Sequence, residues 1–188
     1  MNNSKTLDKI FALVFALLTI ALVMLAMFNS AFFKWAFERH QNMISWYLRP
    51  LALIPFCYFA YKHSWSGIFG TVFFLMTSMF WFPKPDSVSP QAIQFLAVEQ
   101  EYLTGVWDLP KILTSLLVPF SLAALAFAFW KRNIWSGLLV VALMAIVKGI
   151  WSLAVSGEAG KSTMGPVILG VLICPLIYLG YKKLKKTN

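Results

Sequence analysis

The chain has 188 residues, of which 60% are hydrophobic and only 12% are charged. Soluble globular domains carry about 25% charged and about 45–50% apolar residues, so this composition excludes a cytosolic enzyme, a secreted disulfide scaffold and a disordered tail. It predicts an all-α, polytopic membrane protein. The net charge of +9 does not indicate nucleic-acid binding, because the main basic cluster, residues 182–186, abuts an apolar run. Topology anchoring or contact with anionic lipid explains such a cluster.

Six apolar runs follow one another along the chain. A bilayer core about 30 Å thick needs about 20 mostly apolar residues per helix, so these runs predict six transmembrane helices in one domain of residues 1–188. Little of the chain is left over for a soluble domain. The predicted spans are 10–28, 43–61, 65–82, 110–130, 134–155 and 164–181. The first run is longer than the apolar core of a signal peptide and no cleavage site follows it, so we expect an uncleaved helix.

The basic residues predict which side of the membrane each loop faces. With the amino terminus in the cytoplasm, the inner segments hold nine basic residues and one acid, whereas the rest of the chain holds seven basic and six acidic residues. Lys and Arg are enriched in cytoplasmic loops. We therefore predict a multi-pass protein of the inner membrane with both termini in the cytoplasm. The inner basic residues are Lys5, Lys9, Lys62, Lys131, Arg132, Lys182, Lys183, Lys185 and Lys186.

Two amphipathic segments between the spans predict helices that lie on the outer membrane surface. In the first, residues 30–42, we expect Ser30 to cap the helix and Lys34 to pair with Glu38 four residues later. The second, residues 90–104, begins with Ser89-Pro90, a favourable helix start. One acid of this second segment, Glu99, falls on its apolar face and therefore needs a partner.

A weak internal similarity relates residues 55–67 to residues 119–137. Each stretch runs from Pro-Phe through an aromatic and basic turn to Trp-Ser-Gly, with a spacing that differs by several residues. This pattern is consistent with a parallel two-helix repeat, as found in some transporter folds. The alternative is that turns between helices independently favour aromatic, basic and small residues.

Two cations lie inside the apolar spans, and they define the candidate site. Arg49 and Lys148 are each about 9–10 Å from the predicted outer end of their span, at about 1.5 Å per residue. An intramembrane cation is costly and is by default a functional-site hypothesis. We predict that both line one outward-facing pocket. The remaining predicted ligand-binding residues supply counter-charges and interfacial aromatic rings: Glu99, Glu158, Trp107 and Trp151.

Structural roles for the same residues stay open. Arg49 precedes Pro50 and its guanidinium can snorkel to outer phosphates. Lys148 can reach the interface in the same way or form an ion pair with Glu99 or Glu158. Aromatic belts at the membrane surface explain most of the Trp residues without any ligand.

The predicted function is a small transporter or channel-like protein for an anionic or zwitterionic solute or lipid headgroup. The alternative is a non-catalytic membrane subunit or assembly factor that docks a partner through its outer helices. An intramembrane lipid-modifying enzyme is the third hypothesis, and we favour a protein that is not an enzyme. The expected partners are membrane lipids, an anionic small molecule or lipid, and a second copy or another membrane protein, with no nucleic acid.

No cofactor or metal is predicted. His40 and His63 fall on opposite sides of the membrane in the predicted topology, so they cannot share a metal. Cys57 and Cys174 have the character of buried small hydrophobic residues. The segment 160–163, Gly-Lys-Ser-Thr, lacks the earlier glycine and the preceding strand of a phosphate-binding loop. The sequence also lacks the common hydrolase motifs, so it offers no catalytic residues.

Overall fold

The computed structural model describes residues 2–187, and within that range the side chains of residues 3–186. Helices account for 88% of the chain, and no strand occurs among the described residues. The predicted all-α class is confirmed. The helices are α1 (Asn2–Phe28), α2 (Ser30–His40), α3 (Met43–Leu51), α4 (Leu53–Tyr61), α5 (Trp65–Thr77), α6 (Pro90–Thr104), α7 (Leu109–Trp130), α8 (Ile134–Ser156) and α9 (Met164–Thr187). Two 3-10 segments, Ser78–Phe80 and Gly157–Thr163, follow α5 and α8.

Four stretches of the described chain are long and apolar enough to cross a membrane: Asn3–Phe28, Met43–Tyr61, Leu109–Trp130 and Ile134–Lys186. The last stretch has 53 residues and contains both α8 and α9. A shorter apolar stretch, Trp65–Phe80, falls within the third predicted span. Helical structure ends there at Phe80 rather than at the expected Phe82, since Pro83 disfavours a helical conformation for the residue before it. The predicted number of six spans stays a prediction.

The chain forms two compact units, Met1–Val88 and Ser89–Asn188. In the first unit α1 packs along α5, and Asp8 joins their amino-terminal ends. Its carboxylate accepts hydrogen bonds from the Ser64 and Ser66 hydroxyls at 2.9 and 2.6 Å and from the Trp65 and Ser66 amides at 2.9 and 3.1 Å. The first amides of a helix have no intrahelical acceptor, so this carboxylate stabilises the start of α5.

The second predicted span is two short helices, α3 and α4, which meet at Ala52. Pro50 and Pro55 lie on either side of this junction and have no amide hydrogen to donate, so Pro55 leaves the Leu51 carbonyl without its helical donor. An interruption at this place is what prolines within a helix are expected to cause. Ala52 itself keeps helical dihedral angles.

The predicted first outer segment is the helix α2, with two local differences. Asn29 rather than Ser30 is the N-cap, because the Asn29 side chain accepts the Phe32 amide at 2.9 Å. The Glu38 Oε2 atom lies 3.7 Å from the Nζ atom of Lys84, not of the expected Lys34. Lys84 lies beyond α5, so local sequence spacing could not identify it as the partner. The carboxylate is therefore used in a tertiary contact.

In the second unit α8 and α9 fold back on each other as an antiparallel pair. Near one end a Cβ on Gly149 would lie 3.3 Å from Val167. Near the other end the rings of Trp135 and Tyr178 lie 5.9 Å apart. The 53-residue apolar stretch is therefore two helices and not one long helix.

The second predicted outer segment is α6, with the expected bounds and with Ser89 as its cap at 3.2 Å from the Ala92 amide. Its apolar face is buried within the unit, where α6 packs against α8 and the segment Gly157–Thr163. Ala92, Phe95 and Leu96 are each at most 2% exposed. This helix is therefore held by protein contacts along that face.

The two similar stretches of sequence form the same turn. After α4, the amides of His63 and Ser64 bond to the carbonyls of Ala60 and Phe59. After α7, the amides of Arg132 and Asn133 bond to the carbonyls of Phe129 and Ala128. This is the Schellman pattern, and in both turns its left-handed residue is not glycine, with φ of 56° at His63 and at Arg132.

Candidate functional site

The embedded cation Lys148 lies on α8 and forms an ion pair with Glu99 on α6. The Lys148 Nζ atom lies 2.9 Å from Glu99 Oε1. The lysine side chain is 46% exposed and the glutamate side chain 19%, so the lysine side chain is accessible while that of the glutamate is largely covered. Glu99 needs a partner because it lies on the apolar face of its helix, and Lys148 is that partner.

Two aromatic rings surround the same ammonium. The Lys148 Nζ atom lies 4.6 Å from the centre of the Trp151 ring and 5.2 Å from that of Phe95. A cation within about 6 Å of a ring centre is attracted by the negative face of the ring. The Lys148 ammonium therefore has a carboxylate and two rings as neighbours, on a side chain that is 46% exposed.

The aromatic contacts continue from Trp151 to a second lysine. Tyr102 on α6 meets Trp151 edge to face, with ring centres 5.6 Å apart. Lys111 on α7 has its Nζ atom 5.1 Å from the Tyr102 ring centre and 4.6 Å from that of Trp107. The structure thus connects Trp107 and Trp151, two of the predicted site residues, through Tyr102 and Lys111.

The predicted site lacks Tyr102 and Lys111, and only Lys111 has a local signal that could have identified it. Lys111 follows Trp107 by four residues, a spacing that lets a lysine reach back to a ring. It is only 8% exposed, and its ammonium donates to the Gly105 carbonyl at 2.9 Å. Because its ammonium is hydrogen-bonded to the turn and its side chain is buried, Lys111 is a structural cation that holds the 105–108 turn.

The Tyr102 hydroxyl fixes α6 to the first turns of α7. It lies 2.6 Å from Thr114 Oγ1 and 3.2 Å from Ser115 Oγ, and it donates to the Lys111 carbonyl at 3.1 Å. The Tyr102 ring therefore has a defined position against Trp151. That position in turn supports the ring beside Lys148.

The remaining predicted site residues lie elsewhere. Glu158 pairs with Lys161 at 2.6 Å, and both side chains are more than half exposed. Arg49 lies in the other unit, in the last turn of α3, where its carbonyl accepts the Ala52 amide at 3.2 Å. A pocket shared by Arg49 and Lys148 stays a prediction.

The first unit has an apolar cleft of about 610 Å³. Phe11 and Phe15 of α1 form one wall, and Leu51 and Pro55 form part of the other. None of its lining residues is charged. The cleft therefore suits hydrocarbon, and it offers no headgroup site comparable to the Lys148–Glu99 pair.

Among the described residues, no group of three or more His, Cys, Asp or Glu side chains is arranged to hold a metal ion. His40 is buried, and its Nδ1 atom lies 2.9 Å from Ser45 Oγ. No protein-family model, curated protein or solved structure is significantly similar to this chain. A function for this chain therefore has to be inferred from the site itself.

Proposed function

We propose that this chain is a six-span protein of the inner membrane, with both termini in the cytoplasm, that binds and moves an anionic or zwitterionic amphiphile. The antiparallel packing of α8 and α9 supports two spans within the long apolar stretch. Trp65–Phe80 has 16 residues, slightly short of a typical span, and serves as the third span. The excess of basic residues in the predicted inner segments supports the orientation.

The observation that carries the ligand proposal is the Lys148 side chain, which is 46% exposed although it lies inside the apolar helix α8. Placing a lysine there is costly, and the structure offsets that cost with Glu99 and two rings. The Glu99 side chain is largely covered and the Lys148 side chain is accessible, which is the arrangement that binding an incoming anion requires.

The pair also favours a particular ligand class. Lys148 and Glu99 together are neutral, so a ligand with only negative charge would be partly repelled by the carboxylate. A zwitterionic headgroup offers a phosphate or carboxylate to Lys148 and a cation to Glu99. Phe95 and Trp151 would contact the hydrocarbon beside the headgroup, so a phospholipid or a similar amphiphile is the best candidate.

Points at which the helices can bend support the proposed movement of the ligand. Pro119 lies inside α7 and Pro175 inside α9, and α3 and α4 meet at Ala52. Prolines weaken a helix locally, and interrupted helices can line a cavity at membrane depth. These positions are the natural bending points for a protein that opens around its ligand.

The test is native mass spectrometry of the whole protein in mild detergent with zwitterionic and anionic phospholipids. We expect the wild type to retain a zwitterionic lipid and Lys148→Gln to lose it. The charge swap Lys148→Glu with Glu99→Lys keeps the ion pair and should keep the fold. Because it reverses the positions of the two charges, we expect it to bind the lipid weakly.

Lys161→Gln is the control, since Lys161 is an exposed cation of the same unit that pairs only locally with Glu158. It should bind lipid like the wild type. Equal retention in the wild type and in Lys148→Gln would contradict the proposed binding site. Flux of the retained lipid in proteoliposomes then separates a transporter from a protein that only binds.

A second candidate function, docking of a membrane partner, is favoured by the exposed apolar turn between α6 and α7. Val106 is 90% exposed and Leu109 is 68% exposed. Hydrophobic side chains grouped in this way are typical of interaction sites. This function predicts a partner that co-purifies at a fixed ratio with the wild type and is lost in Val106→Ser/Leu109→Ser.

A further inference from the structure

The tertiary structure combines two basic segments that lie far apart in the sequence. One is the turn after α7, with Lys131 and Arg132, and the other is the last part of α9. We call the combined surface the basic junction. Its members are Lys131, Arg132, Lys182, Lys183, Lys185 and Lys186, all of which are exposed.

A hydrogen bond and a ring contact hold the two segments together. The Tyr181 hydroxyl donates to the Arg132 carbonyl at 2.6 Å. One turn earlier on α9, Tyr178 packs on Trp135 of α8 with ring centres 5.9 Å apart. Arg132 has a positive φ of 56°, and in this conformation its carbonyl is the acceptor that fixes the end of α9.

The basic junction lies at one end of the apolar α8–α9 pair. Trp135, at the same end, is 71% exposed, and exposed Trp side chains concentrate at the level of lipid headgroups. A cluster of four to eight Lys and Arg residues next to a membrane span is typical of sites for anionic lipid. Phosphate groups in the adjoining leaflet are therefore within reach of this surface.

We propose that the basic junction binds an anionic phospholipid, and binds best a lipid with two phosphates that contact the turn and the α9 tail together. The two segments are joined at a fixed position, so two phosphates on one headgroup can be bound without first bringing the cations together. A single phosphate contacts one segment at a time. This inference concerns a different surface from the Lys148–Glu99 site and does not depend on the proposed function.

The experiment is native mass spectrometry of the whole protein in mild detergent, with cardiolipin, phosphatidylglycerol and phosphatidylcholine in competition. We expect the retention order cardiolipin, phosphatidylglycerol, phosphatidylcholine. Each Lys or Arg near a membrane surface contributes about 1 kcal/mol, so Lys131→Gln should weaken cardiolipin binding about fivefold. Lys161→Gln removes one cation from the opposite end of the α8–α9 pair and should leave cardiolipin binding unchanged.

Tyr181→Phe tests the junction without altering any charge. It removes the hydrogen bond to Arg132, so we expect the preference for cardiolipin over phosphatidylglycerol to fall while phosphatidylglycerol binding is kept. An unchanged preference would overturn the combined site. If Tyr181→Phe does not fold, the comparison of Lys131→Gln with Lys161→Gln decides, and equal losses in those two variants overturn the proposal.

Two further competitors identify the source of the phosphate. Inorganic phosphate at the same phosphate concentration should not displace cardiolipin, and displacement would show simple anion binding. A short single-stranded RNA should also fail to displace it. Displacement by either competitor overturns the assignment to lipid.

Discussion

Replacing Gly160 with alanine should destabilise the second unit, because the segment Gly157–Thr163 lies directly on α8. A Cβ at Gly160 would overlap the Ser152 carbonyl oxygen, and it would lie 2.6 Å from the Ser152 carbonyl carbon and 3.0 Å from the Leu153 amide nitrogen. These are backbone atoms of a helix, so they cannot move aside as a flexible side chain can. Gly160 does not have a positive φ, so only the lack of space opposes alanine.

The magnitude follows from the confinement of the segment. Ala159 is 2% exposed and Thr163 is 4% exposed, so the segment cannot lift at one end without exposing a buried neighbour. Overpacking typically costs about 1–3 kcal/mol, and this confinement places Gly160→Ala near the upper end. The lower backbone entropy of the unfolded alanine variant returns about 0.4–1 kcal/mol. We expect a net loss of about 2 kcal/mol in the free energy of unfolding.

Gly180→Ala is the matched control. Gly180 lies inside α9, and nothing lies within 4 Å of a Cβ placed on it. Alanine in a helix interior is more favourable than glycine by about 0.5–1 kcal/mol, so Gly180→Ala should be slightly stabilising. The two variants make the same chemical change, and their stabilities should differ by about 3 kcal/mol.

Reversible unfolding in detergent micelles, followed by tryptophan fluorescence, measures this difference. The same samples can be tested for lipid binding, because the segment also supports α6 and with it Glu99. A Gly160→Ala variant as stable as Gly180→Ala would refute the close packing of the segment on α8.

Three other changes test separate contacts. Asp8→Ala removes the acceptor of four hydrogen bonds at the start of α5, so the free energy of unfolding should fall by about 1–3 kcal/mol; an unchanged denaturation midpoint would contradict the cap. Lys148→Gln and Glu99→Gln should each destabilise the protein, and the double variant should be more stable than the sum of the two losses predicts; additive losses in a double-mutant cycle would mean that the pair does not interact. Tyr102→Phe removes one partly buried hydroxyl and should cost about 1 kcal/mol in thermal unfolding, whereas an unaltered melting temperature would show that its contact with Thr114 contributes nothing.

Local sequence rules predicted most of the helices. Ser89 followed by Pro90 gives the start of α6 because a serine cap and a first-turn proline both act within a few residues. The apolar runs gave α7 and α8 to within one residue at each end. The predicted helix boundaries at Ser30 and at Phe82 are wrong for reasons that are equally local. Asn29 is a competing capping residue, and a proline follows Phe82.

The contacts of the candidate site could be predicted only in part. Glu99 on an apolar face indicated that a partner exists, yet Lys148 is 49 residues away. The sequence also left Glu158 as an equally good partner for Lys148. Lys111 carries one local signal, its spacing of four residues from Trp107, whereas Tyr102 carries none, since its partners come from α7 and α8. Identifying such pairs requires the packing of α6, α7 and α8.

Composition and hydropathy by themselves determined the class of this protein, because a chain with so few charges can bury its apolar helices only in a membrane. The tertiary structure alone decided that α6 packs on protein along one face and that Arg132 and Tyr181 meet. Each of these depends on contacts between residues far apart in the chain. Helix propensity and hydrophobicity act over one or two turns, whereas side-chain pairing is decided by which helices become neighbours.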